Sequence, residues 1–116
     1  MYTMDEGMQV AEDWIQTFDD FNCIVSVNDS TGLGAIEALK AANITDCTVI
    51  SIDGIEDALN AVKDGTMACT VMQSSDAHAK ALYDAVKVAQ AGGTNEPVIN
   101  PSLILIDSSN VDEYLK

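Results

Sequence analysis

Short apolar runs alternate with longer amphipathic stretches along the whole chain. The first apolar run occupies residues 23–27, and the second occupies residues 48–52. Between them, Leu33, Ile36 and Leu39 recur at the spacing of one face of a helix. A parallel pair of strands needs a crossover of about this length. The pattern therefore predicts a parallel βαβ unit in this part of the chain.

The same alternation continues on both sides of this unit. Apolar residues at three- and four-residue steps predict further helices over residues 4–18, 55–63 and 77–91. Apolar runs predict further strands over residues 67–72 and 102–106. Less regular segments predict a loop over residues 95–101 and a short turn or helix over residues 110–115. This order predicts a single α/β domain over residues 1–116, with helices flanking a layered, mostly parallel sheet.

Residues with strong capping preferences mark where the later helices begin. Asp53 and Glu56 have the spacing of a capping box, which predicts that they open the third helix. Ser75 or Asp76 is expected to cap the fourth helix, since either side chain can accept a hydrogen bond from a free amide of the first turn.

Polar side chains end each of the first three predicted strands, as Asn28-Asp29, Asp53 and Gln73. In open parallel sheets, ligands bind outside the carboxyl ends of the strands. Amide and carboxylate groups suit a ligand rich in hydroxyl groups. Each residue also has a structural interpretation, because Asn28 and Asp29 suit a turn, Asp53 a helix cap and Gln73 a strand end. Three such positions on one edge favour a binding site.

The charge balance excludes several classes of partner. The chain carries 19 acidic and 5 basic residues, with a net charge of −14. Binding to nucleic acid or to anionic membranes depends on Lys and Arg, so neither is expected as a partner. No apolar run has the length of a bilayer span. The first residues lack the basic and apolar regions of a signal peptide, so none is predicted there.

Three common residue patterns of catalytic and metal sites are absent from the sequence. It contains no Gly-x-Ser-x-Gly elbow, no P-loop and no His-x-x-x-His pair. Cys23, Cys47 and Cys69 lack metal-like spacing and are expected to be reduced structural thiols, although a contact between Cys23 and Cys47 stays open. Trp14 lies on the apolar stripe of the first helix and is expected in the core rather than as a ligand platform. We therefore predict no enzyme activity, metal or cofactor.

A dinucleotide-binding, Rossmann-type domain is the enzyme-class alternative. The chain offers a strand, Gly32-x-Gly34, a helix and an acidic residue that ends the next strand. However, the third glycine position holds Glu37, and residues 28–31 separate the strand from the first glycine. Asp29 would also repel a pyrophosphate group. These departures make this alternative the weaker one.

Three segments carry a resemblance to a known family. They read IVSVNDSTGLGAIEALKAANI, VISIDGIEDALNAVKDGTMACTVMQ and LILIDSSNVDEYL, and together they resemble the sugar-binding proteins of bacterial ABC importers, of the ribose- and galactose-binding kind. The Asn-Asp pair followed by Gly-Ala is shared with sugar-responsive repressors, whereas the DGTMACTVMQ segment is similar to the transport proteins. The resemblance implies a lobe of the type I periplasmic-binding-protein kind, which is flavodoxin-like.

The resemblance also implies which residues contact a ligand. It implies that Asn28, Asp53 and Gln73 hydrogen-bond a pentose or hexose from one side of a cleft, and that Asp29 is a loop or cap residue. The stacking aromatic residues and the usual arginine of the family have no match here. An ABC permease as partner and a location outside the cytoplasm, in the periplasm or lipid-anchored, are further implications.

Family members are more than twice as long as this chain, so the resemblance implies a C-terminal part of a two-lobe protein. The helix over residues 77–91 would then belong against the first lobe, and the strand over residues 103–106 would return to the second. Without that first lobe the helix has an uncovered apolar stripe. A self-associating half-domain without a ligand, forming a homo-oligomer, is therefore a third hypothesis.

Overall fold

The computed structural model describes residues 2–96 and 102–115, so most of the predicted loop over residues 95–101 lies outside the described residues. The elements are α1 (Met4–Thr17), β1 (Cys23–Val25), α2 (Asp29–Ala41), β2 (Thr48–Asp53), α3 (Glu56–Lys63), β3 (Cys69–Gln73), α4 (Ser75–Gln90), β4 (Leu103–Asp107) and a 3-10 helix (Val111–Glu113). The strands form a four-stranded sheet in the order β1-β2-β3-β4, and both β1–β2 and β2–β3 are parallel. The predicted α/β class with a mostly parallel sheet is confirmed.

The chain forms two compact units. The first contains Met1–Met72 and Leu105–Lys116, and the second contains Gln73–Ile104. These boundaries fall close to those that the resemblance implies. The single domain expected over residues 1–116 stays a prediction.

The core of the first unit lies between the sheet and the helices on one of its faces. Apolar side chains of β1, β2, α2 and α3 are almost completely buried there, among them Ile24, Val49, Ile36, Leu39 and Val62. Alternate strand residues point to the other face, where Val25 is 71% exposed and Leu105 is 55% exposed. One face of the sheet is therefore packed, while apolar side chains of the other remain open to solvent.

Two glycines of the dinucleotide-like motif serve the packing of α2. A Cβ atom at Gly34 would lie 2.0 Å from the carbonyl oxygen of Met4, so glycine is what lets α1 and α2 approach this closely. A Cβ atom at Gly32 would lie 3.2 Å from Cβ of Ser51 in β2. Both glycines lie inside the helix rather than in a strand-to-helix turn, so they do not form the phosphate-binding turn of a Rossmann domain.

Strand β1 is shorter than the predicted strand over residues 23–27, because the chain begins to turn directly after Val25. The backbone amide of Ser26 still donates to the carbonyl oxygen of Ile50 at 2.9 Å. The Ser26 hydroxyl, however, donates to the carbonyl oxygen of Asn28 at 2.7 Å, which bends the backbone toward the start of α2.

The predicted capping box at the start of α3 is wrong. The N-cap of this helix is Ile55, which has no side-chain oxygen and makes no side-chain cap hydrogen bond. Asp53 lies before the cap with φ of 135°, outside the extended conformation that a capping residue adopts. Glu56 is the first residue of the helix. The free amide of the N-cap residue Ile55 is instead bonded by an acceptor from elsewhere in the chain.

The expected cap of α4 is also wrong. Ser74 is the N-cap, and its hydroxyl oxygen accepts a hydrogen bond from the backbone amide of Ala77 at 3.2 Å. Ser75 and Asp76 therefore lie in the first turn of the helix. There the negative charge of Asp76 interacts favourably with the helix dipole, but its side chain does not cap the helix.

Trp14 does not lie in the core, contrary to the sequence-based expectation. Its residue surface is 41% exposed, and its indole lines an apolar groove of about 420 Å³ between α1, β1 and α2. Val10 and Val25 line the same groove and are also exposed. In the part of the chain that the structure describes, no helix combines the length and the apolar character needed to cross a bilayer.

Candidate functional site

The register of the sheet brings two of the predicted site residues to the same edge. Strands β1 and β2 are parallel, and Val25 is paired with Ile50. Asn28 lies three residues after Val25, and Asp53 lies three residues after Ile50. Asn28 therefore stands just beyond the carboxyl end of β1, and Asp53 stands at the carboxyl end of the adjacent strand β2. This is the edge at which open parallel sheets bind ligands.

Asn28 ends the turn after β1 and caps α2. Its side-chain oxygen accepts hydrogen bonds from the Thr31 amide at 2.9 Å and from the Thr31 hydroxyl at 2.7 Å. Its side-chain nitrogen donates to the carbonyl oxygen of Tyr2 over a long 3.4 Å. An amide nitrogen carries two hydrogens, so Asn28 keeps donor capacity while its oxygen is used by the cap. The structural and ligand-binding interpretations of Asn28 are therefore compatible.

Asp53 has an unusual backbone conformation. Its φ is 135°, a region that L-residues rarely adopt, and the next residue, Gly54, has φ of 79°. A Cβ atom at Gly54 would lie 2.8 Å from Cβ of Met72, so the turn passes directly over the neighbouring strand. Strained backbone of this kind persists where the surroundings enforce it, and it is concentrated at functional sites. The side chain is half-buried at the end of β2.

Asp29 supplies the acceptor that α3 lacks. Its carboxylate accepts hydrogen bonds from the amides of Gly54 at 2.7 Å and Ile55 at 2.8 Å, at the start of α3. It also accepts from the hydroxyl groups of Ser51 and Thr70. The resemblance implied a loop or cap role for this residue, and the structure shows a cap of α3 rather than of its own helix, α2.

Gln73 is the last residue of β3 and is exposed. The register that pairs Asp53 with Met72 makes Gln73 the next residue along that strand. It is also the first residue of the second compact unit. A common site of Asn28, Asp53 and Gln73 therefore stays a prediction, while the shared edge of Asn28 and Asp53 is a property of the first unit.

The charge near the Asn28–Asp53 edge is negative. Asp29 and Asp53 contribute carboxylates there, whereas lysines of the described chain form ion pairs on helix surfaces: Lys40 with Glu37, Lys63 with Asp112 and Lys80 with Asp84. An anionic ligand would be repelled by this arrangement. A ligand that donates hydroxyl hydrogens to a carboxylate would be favoured.

The three cysteines are free thiols away from this edge, at the amino-terminal ends of strands and before β2. Burial raises the pKa of the Cys47 thiol, and the neighbouring Cys23 adds to that shift. Burial likewise raises the pKa of Cys69. Both thiols therefore favour the protonated form, which is the less reactive one. The described residues contain no group of three or more side chains suited to hold a metal ion.

Similarity to known proteins extends over nearly the whole chain. It is 36% identical over 112 residues to the xylitol-binding protein of Mycolicibacterium smegmatis, which covers 93% of this chain and 31% of that protein. The ABC transporter solute binding protein of Bacillus halodurans C-125, solved with bound myo-inositol, superposes with a TM-score of 0.83 at 32% identity. That match covers 97% of this chain and 39% of the other.

A further solved structure, the periplasmic ribose ABC transporter of Conexibacter woesei, gives a TM-score of 0.89 at 30% identity, covering 97% of this chain and 39% of that one. The chain thus spans between 31% and 39% of the length of these three proteins. The family model described as a periplasmic binding protein domain matches residues 1–94. The chain therefore belongs to the periplasmic binding protein domain family.

Proposed function

We propose that this chain is the C-terminal part of a sugar-binding protein of an ABC importer, and that Asn28, Asp53 and Gln73 hydrogen-bond the sugar. The observation that carries the proposal is the shared edge of Asn28 and Asp53 at the carboxyl ends of β1 and β2. The φ of 135° at Asp53 also supports the proposal. Strand geometry does not require this conformation, and residues held in such strained conformations are concentrated at functional sites.

The ligand is a neutral pentose, hexose or related polyol. Two carboxylates lie near the edge, and the lysines of the described chain that form ion pairs do so on helix surfaces, so the site disfavours phosphate and carboxylate groups. Of the proteins similar to this chain, one is named for xylitol, one is named for ribose, and a third was solved with bound myo-inositol. All three compounds are uncharged and rich in hydroxyl groups.

The binding cleft is incomplete in these 116 residues. This chain covers 31% of the xylitol-binding protein and 39% of the myo-inositol-bound protein, so more than half of each relative lies outside the matched part. The open face of the sheet, with Val25 at 71% and Leu105 at 55% exposed, is where such additional polypeptide can pack. Small-ligand sites enclose most of the ligand surface. The isolated chain should therefore bind sugars weakly or not at all.

A permease partner and a location outside the cytoplasm belong to the same proposal. The family is described as periplasmic, and the solved relatives are described as components of ABC transporters. A binding protein of this kind performs no chemistry on its ligand, so the residues at the strand ends need only to orient hydroxyl groups.

A ligand panel tests the proposed function on the complete protein that contains this chain. Thermal unfolding is measured with ribose, xylitol and myo-inositol, and with ribose 5-phosphate and gluconate as anionic counterparts. A ligand at about 100 times its Kd stabilises the native state by about 2.7 kcal/mol, which shifts the midpoint by several degrees. We expect stabilisation by a neutral ligand only. Stabilisation by the anionic compounds alone would contradict the proposal.

Self-association is the second candidate, because α4 buries none of its residues. Leu82 is 70% exposed, Tyr83 is 63% exposed and Val86 is 53% exposed. The apolar stripe predicted from the sequence consists of Leu82 and Val86 with Ala81, Ala85 and Ala89, and Tyr83 is not part of it. We propose that a second copy of the chain covers this stripe when no other polypeptide does, since exposed apolar faces of this kind favour association.

A further inference from the structure

Asp29 is a carboxylate in the interior of the first unit. Its residue surface is 0% exposed, although it lies at the first position of α2. A buried charge is tolerated only where hydrogen bonds replace the water it loses. Asp29 is too deeply buried to contact a ligand itself. Any effect of Asp29 on ligand binding must therefore be transmitted through the residues that it contacts.

The two carboxylate oxygens of Asp29 have separate partners. Oδ1 accepts from the hydroxyl of Thr70 on β3, at 2.7 Å, and from the hydroxyl of Ser51 on β2. Oδ2 accepts from the backbone amides of Gly54 and Ile55 at 2.7 and 2.8 Å. One oxygen therefore joins α2 to two strands, while the other is bonded only to the turn that follows Asp53.

Both amides bound by Oδ2 lack a local acceptor. Ile55 is the N-cap of α3, so its amide has no intrahelical partner, and Ala58 at the third helical position has no side-chain oxygen that could accept from it. Gly54 precedes it and also donates to the Thr70 hydroxyl at a longer 3.2 Å. The start of a helix carries a partial positive charge, which favours a carboxylate at this place. A single buried acid therefore both caps α3 and stabilises the turn before it.

We propose that Asp29 is a positioning residue for Asp53. This proposal rests on the proposed role of Asp53 as a residue that binds the sugar. The φ of 135° at Asp53 is unfavourable for an L-residue. The hydrogen bonds that Asp29 accepts from the amides of Gly54 and Ile55 hold the backbone after Asp53 in the path that requires this φ. Asp29 thereby fixes the backbone that carries the Asp53 carboxylate, and the geometry of the ligand bond depends on a residue that the ligand never touches.

The first arm of the test needs no ligand. In the 116-residue chain, Asp29→Ala removes the acceptor of the Gly54 and Ile55 amides. Asp29→Asn keeps one acceptor oxygen, which can turn toward these amides. We expect upfield shifts of both amide protons and faster hydrogen exchange in the alanine variant, with a smaller change in the asparagine variant. Unchanged shifts and exchange in both variants would overturn the proposal.

The second arm measures affinity in the complete protein with the neutral ligand found in the panel. Leu39→Ala is the matched control, because it destabilises the core about 15 Å along α2 from Asp29. We expect Kd to rise on the order of 10- to 100-fold for Asp29→Ala and less for Asp29→Asn. We expect no change for the control at a temperature where every variant is folded.

The outcomes separate this inference from the proposed function. If Asp53→Ala weakens binding while Asp29→Ala and the control leave Kd unchanged, the positioning role is overturned and the sugar site stands. If Asp53→Ala itself has no effect, the proposed function of Asp53 fails, and the positioning role falls with it. If Asp29→Ala does not fold, Asp29→Asn alone decides. Shifted amide resonances of Gly54 and Ile55 together with the Kd of the wild type would then overturn the proposal.

Discussion

The backbone strain at Asp53 predicts an inverted effect of glycine on stability. Asp53→Gly and Asp53→Ala both remove the carboxylate. The difference between their free energies of unfolding therefore reports the backbone conformation at position 53. Alanine keeps an L-residue at φ of 135°, whereas glycine adopts this conformation freely. We therefore expect the glycine variant to be the more stable of the two, against the usual order at a strand position.

The magnitude follows from two opposing terms. A residue held in such a sparsely populated region costs about 1–3 kcal/mol. Glycine instead of alanine ordinarily costs about 0.5–1 kcal/mol, because the unfolded chain gains freedom. The net advantage of glycine at position 53 is therefore roughly 0–2.5 kcal/mol, with a central value of about 1 kcal/mol. With a urea m-value of about 1–2 kcal/mol/M, a net advantage of about 1 kcal/mol should raise the unfolding midpoint by roughly 0.5–1 M.

Urea unfolding followed by circular dichroism measures this difference. Asp57 in the first turn of α3 is the matched control, because it is an exposed acidic residue in ordinary helical conformation. At that position the glycine variant should be less stable than the alanine variant by about 1 kcal/mol. If Asp53→Ala is as stable as Asp53→Gly or more stable, the backbone at Asp53 is not strained and the reasoning is refuted.

Three further predictions concern other parts of the chain. Gly34→Ala should destabilise the first unit by at least about 2 kcal/mol in thermal unfolding, since its Cβ would lie 2.0 Å from the Met4 carbonyl oxygen; a change below about 0.5 kcal/mol would mean that α1 shifts freely. Light scattering should show a dimer or larger species at moderate salt for the isolated chain, and Leu82→Ser with Val86→Ser should reduce it; a monomeric wild type would contradict this. Because burial raises the pKa of Cys47, its alkylation at pH 8 should be slower than that of a free cysteine and should accelerate as pH rises; an equal rate would contradict it.

The alternation of apolar runs and amphipathic stretches was sufficient to predict the order of helices and strands. The helix stripe at Leu33, Ile36 and Leu39 and the apolar runs on both sides specify the βαβ unit locally. The edge shared by Asn28 and Asp53 followed from the same pattern, because parallel strands end on one side. These features depend only on residues close together in sequence.

Contacts between distant parts of the chain could not be predicted in this way. Asp53 and Glu56 have the spacing of a capping box, yet the acceptor is Asp29, far earlier in the sequence. Trp14 lies on an apolar stripe, but whether it is covered depends on what packs beside β1. A buried acid directly after Asn28 could have been suspected only from its place between a strand end and a helix, which is also where exposed turn residues occur.

Titration calorimetry of Asp53→Ala in the complete protein tests the central claim most directly. The wild type and Asp57→Ala, which changes an exposed acid in α3, serve as references. A hydrogen bond between a sugar hydroxyl and a charged group contributes about 1.5–3 kcal/mol, so Asp53→Ala should weaken binding by roughly 10- to 100-fold while Asp57→Ala matches the wild type. Unchanged affinity of Asp53→Ala for the neutral ligand would contradict the assignment of this strand edge as the sugar site.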